Sequence, residues 1–340
     1  MPKVLLTGGS GFIAAHVLEL LLKRGHEVVT TVRSEDKAAA IRAAHPGAKL
    51  TVAIVPDVAA PNAFDEVVKA TPGLEYVQHT ASPFHFKWTD AKTELLDPAI
   101  KGTTSVLEAV KKYAPSVKRI VITSSFAALI NEAELGNPDK VFSEADWNPS
   151  TYEEGLTGSP ATAYRVSKKE AEKAAWDFVA REHPNFDVAT ICPPMVFGPV
   201  VHHLNSLSAI NTSNGRFVDL IQGGWRAAGA IPPSGVFLWV DVRDVARAHV
   251  AAQDRPEAGG LRFFTTAGYY DNRKIVQVVR ENFPDLADKL PEKDTPGGGF
   301  PPEGTYKYDN SRATKVLGID WIPIEKSVVD TVQSLREVGA

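Results

Sequence analysis

A single cysteine, Cys192, stands in 340 residues. One thiol forms no intrachain disulfide framework and no thiolate cluster for a metal. No apolar run approaches the length that spans a bilayer. The N-terminus enters a strand-like segment, Lys3 to Thr7, without a cleavable signal pattern, so a cytoplasmic setting is expected. Charge of one sign is also scarce. Against 41 acidic residues stand 37 basic ones, and the formal net charge of -4 makes no case for nucleic acid or an anionic membrane as partner. Neither an internal repeat nor a disordered tail is visible. What remains is a globular composition, 44% hydrophobic and 23% charged, with chain enough for one large domain or two smaller ones.

The first half alternates two periods. Lys3 to Thr7 is a short apolar run, and a helical pattern follows from about Gly11 to Arg24, with Ile13, Val17, Leu20 and Leu21 on one face. Gly25 stands where a left-handed helix cap is wanted. Glu27 to Val32 is β-branched and reads as strand two, and Ser34 is placed to cap the helix that ends before Pro46. Lys49–Val55, Tyr76–Thr80, Arg119–Thr123 and Asp187–Ile191 read as further strands. Between them lie helical stretches over Pro61–Ala70, Asp97–Tyr113 and Tyr164–His183. Such alternation predicts βαβ units and a doubly wound parallel sheet, an α/β Rossmann fold whose crevice lies beyond the carboxyl ends of the strands.

After Pro193 the pattern breaks. Residues 193–235 are rich in Gly, Pro, Asn and Ser, with a short helix expected near Phe217–Gln222. Val236–Val240 reads as a seventh strand and Val242–Ala252 as a helix that Asp241 can cap, with Asp244 in its first turn. Residues 285–305 read as loop, and a last helix is expected over Ile324–Val338. The expected division is a dinucleotide-binding domain from 1–192 with about 236–255, and a smaller lobe from 193–235 and 256–340.

Chemistry begins at Thr7-Gly8-Gly9-Ser10-Gly11-Phe12-Ile13-Ala14, which closes strand one and opens a helix. Gly8 permits the tight turn and Gly11 a close approach to a pyrophosphate. The helix start at Ser10, Gly11, Phe12 and Ile13 supplies N–H groups and positive dipole density. Ala14 is small enough for helix–strand packing. The end of strand two then discriminates between cofactors. A site for NAD places a carboxylate there for the ribose 2′-hydroxyl; this chain has Arg33, with Lys37 four residues on. A guanidinium pairs with a 2′-phosphate, so NADPH is the expected cofactor. Glu35 and Asp36 read as first-turn acids that offset the helix dipole, though either could reach a ribose hydroxyl.

Tyr164-Arg165-Val166-Ser167-Lys168 opens a long helix, and positions four apart share a face. The ammonium is expected to lower the phenol's pKa from near 10 and so make Tyr164 a better proton donor. Thr123-Ser124-Ser125 closes strand five at the ligand edge, where a hydroxyl can bond a carbonyl oxygen.

In combination these motifs resemble the extended short-chain dehydrogenases/reductases, in their dihydroflavonol-reductase-like branch. The likeness is strongest to fungal NADPH-dependent aldehyde and ketone reductases of methylglyoxal type. It is carried also by His79-Thr80-Ala81-Ser82-Pro83-Phe84, Phe197-Gly198-Pro199 and Asp241-Val242-Arg243-Asp244. The resemblance implies a carbonyl reductase, with Ser125 rather than Ser124 joining Tyr164 and Lys168. It implies that Asp57 meets the adenine amine and that Val58 packs beside the ring. Thr80, Ala81 and Ser82 would line the nicotinamide ribose, Lys168 would bond its hydroxyls, and Pro193 and Val196 would approach the carboxamide. Phe84 and Met195 are expected on the substrate wall, which Cys192-Pro193-Pro194-Met195 makes less polar than the commoner Asn-Pro-x-Tyr.

The expected partner is a small carbonyl compound, and the expected assembly a monomer or homodimer. Rival readings are a sugar-nucleotide epimerase or dehydratase, a hydroxysteroid dehydrogenase, and a non-enzymatic dinucleotide-sensing regulator. Cys192 follows an apolar strand without a base and reads as buried packing. His202-His203 lacks a third ligand at useful spacing and reads as loop, so no metal is expected.

Overall fold

A computed structural model describes residues 1–82, 88–201, 210–301 and 303–340. The first eleven elements are β1 (Lys3–Thr7), α1 (Phe12–Lys23), β2 (Glu27–Val32), α2 (Glu35–Ala44), β3 (Leu50–Ile54), α3 (Asp65–Lys69), β4 (Leu74–His79), α4 (Asp97–Tyr113), β5 (Arg119–Thr123), β6 (Val141–Phe142) and α5 (Tyr152–Thr157). Next come α6 (Pro160–Glu182), β7 (Asp187–Cys192), β8 (Met195–Phe197), α7 (Thr212–Ile221), α8 (Gly224–Ala227), β9 (Leu238–Asp241) and α9 (Val242–Asp254). The chain ends through β10 (Arg262–Phe264), β11 (Gly268–Tyr269), α10 (Asn272–Asn282), β12 (Lys307–Tyr308), α11 (Ser311–Leu317) and α12 (Ile324–Glu337).

Seven strands form one parallel sheet in the order β10-β7-β5-β4-β1-β2-β3. Its inner strands are buried on both faces, as parallel strands under crossover helices must be, while the edge strand β3 stays partly exposed. Leu5, Val29, Val77 and Ile120 face α4 and α6 through Val106, Val110 and Phe178. Their neighbours Val4, Leu6 and Val28 face α1 and α9 through Val17, Leu21 and Val250. Strand order reverses between β1 and β4, where Thr7 stands opposite His79. A doubly wound sheet opens its ligand crevice at that point.

Two smaller sheets, β11-β9-β8 and β12-β6, lie apart from this frame. A separate core of Phe197, Phe217, Trp239, Ile275 and Val332 joins β8 and β9 to α7, α10 and α12.

Several expectations are corrected. The strand expected over Val236–Val240 forms as β9, but it pairs with β8 and β11 and leaves the seventh place in the main sheet to another segment. That place belongs to β10, only three residues long and paired with β7. Residues 262–264, which the expected division gave to the smaller lobe, thus complete the main sheet. The helix expected over Pro61–Ala70 is confined to Asp65–Lys69. Ser34 takes the extended backbone of a cap but makes no side-chain capping bond. Asp241 does cap α9, accepting from the Arg243 N–H at 2.8 Å. Asp244 instead accepts from the Ile322 N–H at 2.8 Å and pairs with Arg247.

Candidate active site

The crevice at the switch point is a cleft of about 1090 Å³. Its floor is the β1–α1 turn. Gly8 has φ +73°, a left-handed value that penalises any side chain. A Cβ on Gly9 would stand 2.1 Å from Thr30 Oγ1, so the turn lies flat on β2. Gly11 holds the extended cap position of α1 with no side-chain capping bond, which leaves the first N–H groups of the helix for a ligand. Thr7 ties the two rims together. Its Oγ1 accepts from the N–H groups of Thr80 and Ala81 at 3.2 and 3.1 Å, and its carbonyl accepts from the Thr80 hydroxyl at 2.6 Å. Gly8, Ser10, Gly11, Phe12 and Ile13 all line the cleft.

One end of the cleft is cationic. Arg33 and Lys37 line it, and neither makes an ion pair among the described residues. Burial, followed by repulsion from Arg33, lowers the pKa of Lys37. Glu35 turns away to Arg42 at 2.5 Å, while Asp36 stays on the wall with Asp57 and Val58. Asp57 Oδ1 accepts from the Ala59 N–H at 2.9 Å. Two cations held together without a carboxylate partner, beside an uncapped helix start, fit a dinucleotide that carries an additional phosphate.

At the other end α6 enters. Ser159 caps it by accepting from the Thr162 N–H, and this aims its second turn at the cleft. Tyr164, Lys168 and Ser125 share the cleft with Thr80, Ala81, Ser82, Pro193 and Val196. Lys168 Nζ donates to Ser82 Oγ at 2.9 Å and lies 5.9 Å from the Tyr164 ring centre. The two adjacent serines diverge. Ser124 Oγ donates to Glu172 Oε2 at 2.5 Å, inside the protein. Ser125 Oγ accepts from the Ala127 N–H at 3.1 Å and is hydrogen bonded to Tyr164.

The expected depression of the Tyr164 pKa is corrected. Burial raises it, and the Ser125 hydrogen bond offsets only part of that rise. Burial also brings Lys168 down to about 8. Desolvation of the phenol outweighs the stabilisation of its anion that the sequence spacing suggested. The result is a neutral phenol beside a hydroxyl, an arrangement suited to giving a proton to an oxygen.

Met195 is not on the cleft wall. In β8 alternate side chains face opposite ways: Val196 lines the cleft, while Met195 packs with Phe197 against the smaller core. Pro194 takes the wall position instead. Phe84 and the pair His202-His203 lie outside the described residues. Sequence reasoning missed Ile210, Asn211, Thr212 and Ser213, which line the cleft where α7 begins. Asn211 before a helical run was the available signal, hidden because the helix was expected to start later. Among the described residues no group of three or more His, Cys, Asp or Glu could hold a metal. No helix there is long and apolar enough to cross a membrane.

Comparison with known proteins agrees with this architecture. The NAD dependent epimerase/dehydratase family matches residues 4–264. The chain is 46% identical to the ketoreductase azaE of Aspergillus niger over 338 residues, covering 98% of each protein. It is 37% identical to a putative NADPH-dependent methylglyoxal reductase, GRP2, of Candida albicans, again covering 98% of both. The crystal structure of the yeast methylglyoxal/isovaleraldehyde reductase Gre2 complexed with NADPH superposes with a TM-score of 0.91 at 34% identity, covering 98% of each chain. By sequence and by fold, this chain belongs to the NAD dependent epimerase/dehydratase family of extended short-chain dehydrogenases/reductases.

Proposed function

We propose that the chain is an NADPH-dependent carbonyl reductase that converts a small aldehyde or ketone to an alcohol. The reading is carried by one observation: Tyr164, bonded to Ser125 and flanked by Lys168, stands in the same cleft as Arg33 and Lys37, two cations without an ion pair among the described residues. Two relatives, at 46% and 37% identity, are named a ketoreductase and a putative NADPH-dependent methylglyoxal reductase, which supports the same conclusion.

When bound, NADPH supplies the hydride that adds to the carbonyl carbon. Arg33 and Lys37 bind the 2′-phosphate, and the N-terminus of α1 faces the pyrophosphate. Asp57 and Val58 hold the adenine, Thr80, Ala81 and Ser82 line the ribose, and Pro193 and Val196 orient the far end. Ser125 donates a hydrogen bond to the substrate oxygen and steadies its developing charge. Tyr164 gives that oxygen its proton, and Lys168 holds the ribose hydroxyls while it stabilises the tyrosinate left behind. In the reverse direction Tyr164 accepts the proton. The dinucleotide belongs to residues 1–192 with 236–255 and 262–264, and the substrate to the remaining lobe. A cytoplasmic monomer or homodimer suits this chemistry.

Tyr164→Phe tests the reading. Carbonyl reduction should fall about 10²- to 10⁴-fold, while the NADPH dissociation constant changes less than about threefold. Undiminished turnover would remove Tyr164 from the mechanism.

A further inference from the structure

A second, smaller cavity adjoins the cleft at Lys168. His79, Thr123, Ser124, Lys168 and Glu172 are among its walls. Its volume of about 10 Å³, on the measure that gives the main cleft about 1090 Å³, is that of one water-sized sphere.

His79 is 2% exposed, and its Nε2 has no hydrogen-bond partner among the described residues. Its tautomer follows from Thr7. Thr7 Oγ1 already accepts from two backbone N–H groups, so its own proton goes to His79 Nδ1, 2.9 Å away. Nδ1 is therefore the acceptor. Burial, and then repulsion from Lys168, holds the imidazole neutral with a pKa of about 3, so its one ring proton sits on Nε2.

The hydroxyl walls are assigned in the same way. The Gln78 amide nitrogen donates to the His249 carbonyl and to Gln253 Oε1. Its oxygen therefore accepts from His249 Nδ1 at 2.9 Å. His249 Nε2 then accepts the Thr123 hydroxyl proton at 2.9 Å, and the Ser124 proton is committed to Glu172. The cavity is thus walled by two donors, the Lys168 ammonium and the His79 Nε2–H. Facing them are acceptor oxygens on Thr123, Ser124 and Glu172. A buried donor without a partner is costly, and one water makes two to four hydrogen bonds in such a place.

We propose that this cavity is the site of one ordered water, which accepts from His79 Nε2–H and from Lys168, and that His79 acts through it as a positioning residue for the ammonium. The inference rests on the reductase reading for what Lys168 does, and on the cavity alone for the water. Titratable groups facing Lys168 are His79 from β4, with Tyr164 and Glu172 from α6; β5 contributes Thr123, the turn after it Ser124, and α4 Thr103. None of the other elements brings a charge among the described residues. The water solvates a half-buried cation, so its loss favours the neutral amine and brings the alkaline limb of activity to lower pH.

The test uses the full-length chain with NADPH. A crystal structure that shows waters should place one within hydrogen-bond distance of His79 Nε2 and Lys168 Nζ. Nitrogen-15 spectra at pH 7 should show His79 protonated at Nε2. His79→Leu should bring the alkaline limb of kcat/KM down by about one pH unit, about a tenfold loss above that limb with little change at pH 6.5. His79→Gln retains an N–H donor and should recover most of the shift. A dry cavity in the wild type, an Nδ1–H tautomer, or a loss in His79→Leu that is equal at every pH overturns the proposal. Should His79→Leu fail to fold, the wild-type crystal and spectra decide. Should the wild type reduce no carbonyl with NADPH, the functional reading falls, while the water and the tautomer still decide this site.

Discussion

Arg33→Asp reverses one of the two charges, with Lys37, that separate NADPH from NADH in this cleft. Arg33 is exposed and reaches the cleft beside Lys37, with Glu35 held away by Arg42. Two unit charges 4 Å apart interact by about 1 kcal/mol in water and by about 4 kcal/mol near a protein surface. An exposed guanidinium belongs toward the lower limit. Against a phosphate bearing about two charges, removing the cation and installing an anion sums to about 4 kcal/mol before screening. Physiological salt trims this to about 2.7 kcal/mol, or about 100-fold in dissociation constant. NADH has no 2′-phosphate and should weaken less than about threefold. The assay is calorimetric titration of both cofactors into wild type and variant, repeated at 0.05 and 0.5 M salt. The wild type's NADPH affinity should fall with salt, and the variant's should improve. Equal losses for the two cofactors would refute the assignment of the 2′-phosphate to Arg33.

Other tests follow from the buried polar groups. Glu172 accepts from Arg262 Nε at 2.7 Å, from Thr190 Oγ1 at 2.8 Å and from Ser124. Glu172→Gln leaves the Arg262 guanidinium buried without its counter-charge, and urea unfolding should show a loss of about 3–5 kcal/mol. Unchanged stability would mean that the pair is better solvated than it looks. His79 and His249 are both held neutral, chiefly by burial, with pKa values of about 3. Unfolded histidine titrates near 6.5, so below that pH the unfolded chain binds more protons. Stability should therefore fall as pH drops from 6.5 toward 3, at up to about 1.4 kcal/mol per unit for each imidazole. Urea midpoints that stay level from pH 6.5 to 5 would contradict their burial.

The dinucleotide half was legible because its signals are local. A glycine turn after an apolar run, β-branched strands and helices of period 3.6 each declare themselves within a dozen residues. Arg33 and Tyr164 with Lys168 were readable for the same reason. What escaped depends on distance. β10 is three residues long, and only its pairing with β7, some seventy residues earlier, makes it a strand. Whether Val196 or Met195 faced the cleft depended on the register of β8 against β9, which no local pattern carries. The choice between Ser124 and Ser125 came from family likeness. Its physical ground is Glu172, a carboxylate 48 residues away that claims the first serine. Burial of the phenol likewise comes from elements far apart in sequence, which is why spacing alone gave the wrong sign for its pKa.

The pairing of Glu172 with Arg262 also bears on how the protein comes off the ribosome. Ninety positions separate the two. A nascent chain stopped anywhere between 197 and 261 already holds every side chain named for the dinucleotide, but not β10, the edge strand of the same sheet. It lacks the guanidinium that neutralises the carboxylate behind Ser124, so the neighbouring Ser125 has no firm footing. The carboxylate behind Ser124 thus gains its counter-charge only when the far edge strand is in place.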